Sequence, residues 1–228
     1  MILEVIGVNV QDVKDAEEYG ADRIELCAGM SEGGLTPSYA LIKQAVAATS
    51  LPVHVMVRPH ADSFIYSKAD LSLMCEDIQM IKQLDANGIV VGPITEEGTV
   101  DEAALQQLLE AAEGLNVTFH RGFDMVQDQK AALQTIFRYP QITTILTAGG
   151  SSTAPEGIKN LCKLQEIAKN SPVTIMPGSG LEVESFQDFY DKVKPAAIHF
   201  GSGVRWNHSY AERLSNTRIK ALKTICLN

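Results

Sequence analysis

LEVIGVNVQDVKDAEEYGADRIELCAG, residues 3–29, decides the fold. It opens on an apolar run of strand length (3–9), passes through a stretch of helical length and period (10–19), and closes on a second apolar run (22–29). Tyr19-Gly20 supplies a glycine stop for the helix, and Gly20-Ala21-Asp22 is a turn that returns the chain to a strand. The unit is βα, and the rest of the sequence repeats it. Further short apolar runs occur at 52–59, 88–95, 116–124, 143–150, 172–180 and 196–203, making eight in all. Helical stretches lie between them at 37–48, 70–84, 101–112, 129–137, 155–169 and 182–192. Thr36-Pro37 reads as an N-cap followed by proline in the first turn, and Asp101 as a further cap.

Parallel strands joined by helices need right-handed crossovers, and eight in succession close on themselves as a (β/α)8 TIM barrel, where a doubly wound sheet would have fewer strands. No Pro/Gly/Ser-rich linker divides the chain. The expectation is one α/β domain over 1–228, with 205–228 supplying a tail and the last helix. A 45% apolar, 21% charged composition belongs to a soluble globular protein. The net charge of −9, with no basic block, argues against a nucleic-acid partner or an anionic membrane surface. MILEVIGVNVQDV has no positive region ahead of its apolar stretch, unlike a secretory signal, and no apolar run approaches a bilayer span. Cysteines 27, 75, 162 and 226 lie far apart without a CxxC, so neither a disulfide framework nor a structural zinc site is expected, and the expected setting is the reducing cytoplasm.

In such barrels the site collects at the C-terminal ends of the strands. Glu25 and Cys27 share one face of the second strand by the two-residue period, and Glu4 on the first points into the same interior. The third strand ends at Arg58-Pro59-His60, the fifth at FHRGFD (119–124) with His120, Arg121 and Asp124, and the eighth carries His199. A histidine shuttles protons near neutral pH, an arginine holds an oxyanion and a carboxylate orients either. The alternative for this cluster is a structural ion-pair network closing the mouth. Glycine-bearing turns follow strands six to eight: Gly149-Gly150, Gly178-Ser179-Gly180 and Gly201-Ser202. Their N–H groups form an anion cradle, or are simply what short βα loops require. Cys27, with Met30, Met56, Met125 and Met176 near strand ends, is a soft set suited to Cu(I), although methionines also fill cores routinely. His54 reads as an interior residue of its strand, and Cys75, Cys162 and Cys226 as helix or tail residues. Without a P-loop or a strand-linked GxGxxG, no organic cofactor is expected.

ADRIELC (21–27), EGGLTPS (32–38), VMVRP (55–59), FIYS (64–67), EEGTVD (96–101), TFHRGFD (118–124), ILTAGG (145–150) and IMPGSG (175–180) resemble, in this order, the CutC family. The likeness extends through Ser202. It implies a cytoplasmic TIM barrel with a part in copper homeostasis, Cu(I) binding and homo-oligomers. It places Glu25, Arg58, His120, Arg121 and Asp124 in a polar cluster at the barrel mouth and makes Cys27 the cysteine of the IELC string. This chain departs from the family pattern in having no cysteine in its first strand, His60-Ala61-Asp62-Ser63 after Arg58-Pro59, and Ser179 in the IMPGSG turn.

Two functions follow as expectations. One is Cu(I) binding centred on Cys27. The other is an enzyme for a small anionic or phosphorylated metabolite, with His120 as general acid/base, Glu25 or Asp124 as its partner, Arg58 and Arg121 as clamps and the glycine turns as N–H donors. A non-catalytic scaffold leaves the convergent polar strand ends unexplained.

Overall fold

Each of the eight apolar runs forms a strand in the computed structural model, which describes residues 1–226. The order is β1 (Ile2–Gly7), α1 (Val10–Tyr19), β2 (Arg23–Leu26), α2 (Tyr39–Ala47), β3 (Val53–Met56), α3 (Lys68–Gln83), β4 (Gly88–Val91) and α4 (Glu102–Ala111). It continues with β5 (Asn116–Phe119), α5 (Gln129–Ile136), β6 (Ile142–Thr147), α6 (Ile158–Ala168), β7 (Thr174–Pro177), α7 (Phe186–Val193), β8 (Ala197–Phe200) and α8 (Asn216–Cys226). Residues 227–228 of the expected tail lie outside the described residues. No described helix is long and apolar enough to cross a membrane.

The strands form one parallel sheet in the order β7-β6-β5-β4-β3-β2-β1-β8, rolled into a barrel. Its edges meet where β7 approaches β8, since a Cβ on Gly178 would stand 3.2 Å from His199 Cβ, yet no ladder joins them among the described residues. Pro177 gives one reason. The Gly178 N–H bonds Thr147 on β6, so position 177, out of phase with it, faces β8 and has no N–H to offer.

Alternation divides each strand between two environments. Leu3, Val5, Ile24, Leu26, Val55, Val91, Phe119, Ile145 and Ile198 face outward and pack with the helices in one large core. The inward positions are polar at mid-depth, with Glu4, Arg23, Glu25, His54, Thr118 and His199 all buried. Nearer the mouth, Ile6, Cys27, Met56 and Val90 form a smaller apolar layer.

Several helix starts differ from the sequence expectation. Helix α2 is capped by Ser38, which accepts from the Leu41 N–H at 3.3 Å, and not by Thr36. The Thr36 hydroxyl instead accepts the Arg58 N–H at 2.9 Å, so it ties the second loop to the end of β3. Helix α3 begins two residues before the expected start because Ser67 and Asp70 form a reciprocal capping box. Helices α6 and α7 start late, α7 after a 3-10 turn at Val183–Ser185. Gly20 ends α1 at φ 96° and Asp101 caps α4, both as expected.

Candidate active site at the barrel mouth

A cavity of about 440 Å³ opens at the C-terminal ends of the strands. Strand alternation carries Glu25, Met56, Arg58, His120 and His199 into it, and the loops add Phe64, Arg121, Ser179, Glu182 and Tyr210. One wall is acidic and proton-bearing; another is cationic and apolar.

The acidic wall begins with Glu4, fully buried below the cavity, which accepts from Arg23 Nε and lies 2.7 Å from His199 Nδ1. Burial alone would raise its carboxyl, but the Arg23 charge and the His199 hydrogen bond outweigh that and bring it to about 2. Glu4 is therefore a fixed anion that orients the His199 ring and leaves Nε2 directed at Glu25 Oε2, 3.8 Å away. Burial disfavours charge on His199, but Glu25 and Glu4 prevail and its pKa is raised. The Glu25 carboxyl is also raised, by burial and by Glu4, against the pull of His199. Glu25 Oε1 is buried without a partner, while Oε2 accepts the Cys27 thiol at 3.5 Å. Glu4, Glu25 and His199 offer ligand atoms within 4.8 Å of one another, but both Glu4 oxygens are already engaged.

The cationic wall is Arg58. Its terminal nitrogens donate to the carbonyls of Glu32 (2.7 Å), Gly34 (3.2 Å) and Ala61 (2.9 Å), and Nε is buried with no partner. No carboxylate pairs with this guanidinium among the described residues; its Cζ lies 4.7 Å from the centroid of Phe64. The His120 ring stands 4.6 Å from the same centroid. His120 Nδ1 accepts the Gly122 N–H at 3.0 Å, so the neutral ring carries its proton on Nε2, which is buried and unpartnered. Burial, and then the Arg58 charge, push its pKa down to about 3. The expected carboxylate partner of His120, Glu25 or Asp124, is not on its ring: His120 is a neutral hydrogen-bond donor. Gly92 makes the space for it, since a Cβ there would fall 2.3 Å from Nδ1.

Arg121 and Asp124 meet each other instead. Arg121 Nε donates to Asp124 Oδ2 at 2.9 Å, and its terminal nitrogens reach Ser179 Oγ (3.1 Å) and the Ser152 carbonyl (3.4 Å). The Asp124 carboxylate accepts the N–H groups of Ala148 (2.9 Å) and Gly150 (3.0 Å) and the Thr147 hydroxyl, while the Gly149 N–H goes to Thr147 Oγ1 at 2.9 Å. The first glycine turn thus holds an anion of the protein's own. Gly178 N–H belongs to the β6 pairing. Ser179 sits at φ 81° and its hydroxyl links Arg121 to the Ser152 carbonyl. Gly180, Gly201 and Ser202 line the cavity rim.

Of the sulfur set, Cys27, Met30 and Met56 come together around Gly34, where a Cβ would lie 3.6 Å from Cys27 Sγ, 3.8 Å from Met30 Sδ and 3.5 Å from Met56 Cε. The Cys27 thiol is fully buried, and burial followed by Glu25 raises its pKa well above the ordinary value. Met125 is exposed at the rim, and Met176 accepts from Arg23 at 3.2 Å. His54 is an interior residue, 3.4 Å from Thr118 Oγ1, and burial lowers its pKa to about 4. Cys75 and Cys162 lie in α3 and α6, while the side chain of Cys226 falls outside the described set. Sequence reasoning placed His199 on its strand and Phe64 within FIYS without giving either a role, and passed over Tyr210, whose loop carries no periodic signal. The register partner Glu4↔His199 is the signal that would have found the first.

Comparison with known proteins adds family context. The model of the CutC family matches residues 1–204. A human copper homeostasis protein cutC homolog is 40% identical over 219 residues, 96% of this chain and 76% of its own. A CutC family protein of Pasteurella multocida is 40% identical over 206 residues, covering 90% and 84%. The crystallised CutC protein of Streptococcus agalactiae superposes with TM-score 0.82 at 32% identity, over 88% of this chain and 98% of that one. Phosphoribosylanthranilate isomerase from Thermotoga maritima, at TM-score 0.66 and 13% identity over 100% and 99% of the chains, shares the fold alone.

Proposed function

The chain belongs to the CutC family, and on that premise we propose that its barrel mouth is an acid–base site for a small anionic metabolite. The observation that carries this reading is Arg58, a buried guanidinium without a carboxylate, facing the same cavity as the Glu25–His199 pair. A buried charge is costly unless compensated, and a ligand anion supplies the compensation. Arg58 Nε and His120 Nε2 hold the anion. Glu25 and His199, coupled across 3.8 Å, deliver or accept a proton, while the Glu4 carboxylate keeps the His199 ring aimed. Arg121 and Asp124 act at one remove, by fixing the loops after β5, β6 and β7.

The names carried by relatives, and the convergence of Cys27, Met30 and Met56 around Gly34, support a second reading: binding of Cu(I) as cargo. Cys27 would then give up its proton, with Glu25 as the nearest acceptor at 3.5 Å. A cytoplasmic location goes with either reading, because a reducing compartment keeps this thiol free.

The test is an anaerobic Cu(I) titration against a competing chelator with wild type and Cys27→Ser, run beside a thermal-shift screen of small anions with wild type and Arg58→Met. Anion stabilisation lost in Arg58→Met, with weak copper binding unchanged by Cys27→Ser, supports the acid–base site. Tight stoichiometric copper lost in Cys27→Ser, with no anion effect, replaces it by the copper reading.

A further inference from the structure

The unsatisfied atoms of the cavity describe what should enter it. Arg58 Nε, His120 Nε2 and Glu25 Oε1 are buried and without partners; a fourth, Glu182 Oε2, faces His208 Nδ1 at 2.7 Å. The first two are donors placed against the same ring, Phe64, at the cationic wall. The third lies at the acidic wall. Buried polar groups of this kind are normally paired, so each is a point at which a bound molecule can be held. We propose that the ligand is a small monocarboxylate that also bears a hydroxyl or ammonium group, with its carboxylate on Arg58 and His120 and its hydrogen-bond donor on Glu25. This rests on the reading of the mouth as an anion site and narrows it.

Charge and donor count decide against a phosphate. The arginines lining the cavity are Arg58 and Arg121, and Arg121 is paired with Asp124, which leaves one uncompensated positive charge. A monoanion matches it. A phosphate dianion would bring a second negative charge among the lining carboxylates Glu25, Glu32, Asp124 and Glu182. Two orphan donors suit the two oxygens of a carboxylate, whereas a phosphate group carries three strongly accepting oxygens. The N–H groups of Ala148 and Gly150, which would serve a phosphate, are bound by Asp124. Phe64, Met56 and Leu146 supply an apolar wall for the carbon chain between the two ends.

The experiment is a panel titration on the wild-type protein by ligand-observed NMR with lactate, L-alanine, propionate and inorganic phosphate, repeated on His120→Ala and Glu25→Ala. Lactate or L-alanine should bind about tenfold more tightly than propionate, the effect of one buried hydrogen bond. Glu25→Ala should erase that preference, and His120→Ala should weaken every carboxylate. If phosphate binds as well as the best carboxylate, the substrate class proposed here is wrong while the anion site stands. If propionate equals lactate and L-alanine, the role of Glu25 is wrong. Silence of the whole panel on wild type overturns both this inference and the anion site. The wild-type arm decides these outcomes even if a variant fails to fold.

Discussion

Glu4→Gln tests the electrostatic floor of the barrel. The carboxyl sits at about 2 in place of 4.5, and at about 1.4 kcal/mol per pH unit that difference contributes about 3 kcal/mol to folding. Because the folded-state pKa is depressed, the contribution is complete above pH 4.5 and is lost as pH falls toward 2. Removing one member of a buried pair also strands the other, here Arg23, at a cost of about 3–5 kcal/mol. Both routes predict a loss of at least about 3 kcal/mol at pH 7, measured by urea unfolding followed by circular dichroism. Between pH 4.5 and 2 the gap between wild type and variant should narrow. Adding Arg23→Met to the variant should restore part of the loss, since it removes the stranded charge. A loss below about 1 kcal/mol at pH 7, the range of a surface pair, would refute the reasoning, as would a gap that is constant through the acid range.

Gly92→Ala should expel the His120 ring from its place and cost about 1–3 kcal/mol, read as a lower unfolding midpoint together with a changed His120 imidazole shift; an unchanged imidazole resonance would contradict the packing. Wild-type His120 should stay neutral, with its proton on Nε2, from pH 8 to pH 4 by 15N NMR, given a pKa of about 3. Its contribution to stability is complete above the unfolded value of 6.5 and declines as pH falls toward 3; titration near pH 6.5 in the folded protein would sink this assignment. Cys27 should resist iodoacetamide at pH 8 until the protein unfolds, while the partly accessible Cys75 reacts; equal labelling rates would show that the thiol is neither buried nor protonated.

The architecture was readable because each βα unit repeats its own punctuation: β-branched runs, a period-3.6 stretch and a glycine or capped turn. What was missed at helix starts was side-chain competition, with Thr36 drawn to the Arg58 backbone and Ser67 paired with Asp70. The site was legible only as residue types at strand ends. Arg58 and Glu25 stand out as costly groups on inward positions, but pairing depends on register and loop path. Arg121 and Asp124 are three residues apart and find each other before either meets a ligand. His120 takes its tautomer from a neighbouring backbone N–H, and the histidine that faces Glu25 comes from strand eight. None of these partners is encoded by periodicity.

Asp124 has a consequence for how this barrel behaves among crowded metabolites. A carboxylate attached to the chain three residues from its arginine occupies the turn at Ala148–Gly150 as an intramolecular ligand, without the loss of translational freedom that a diffusing ion would incur. The loop thus closes on the protein's own carboxylate, and the backbone donors that a glycine turn offers are satisfied from within the chain.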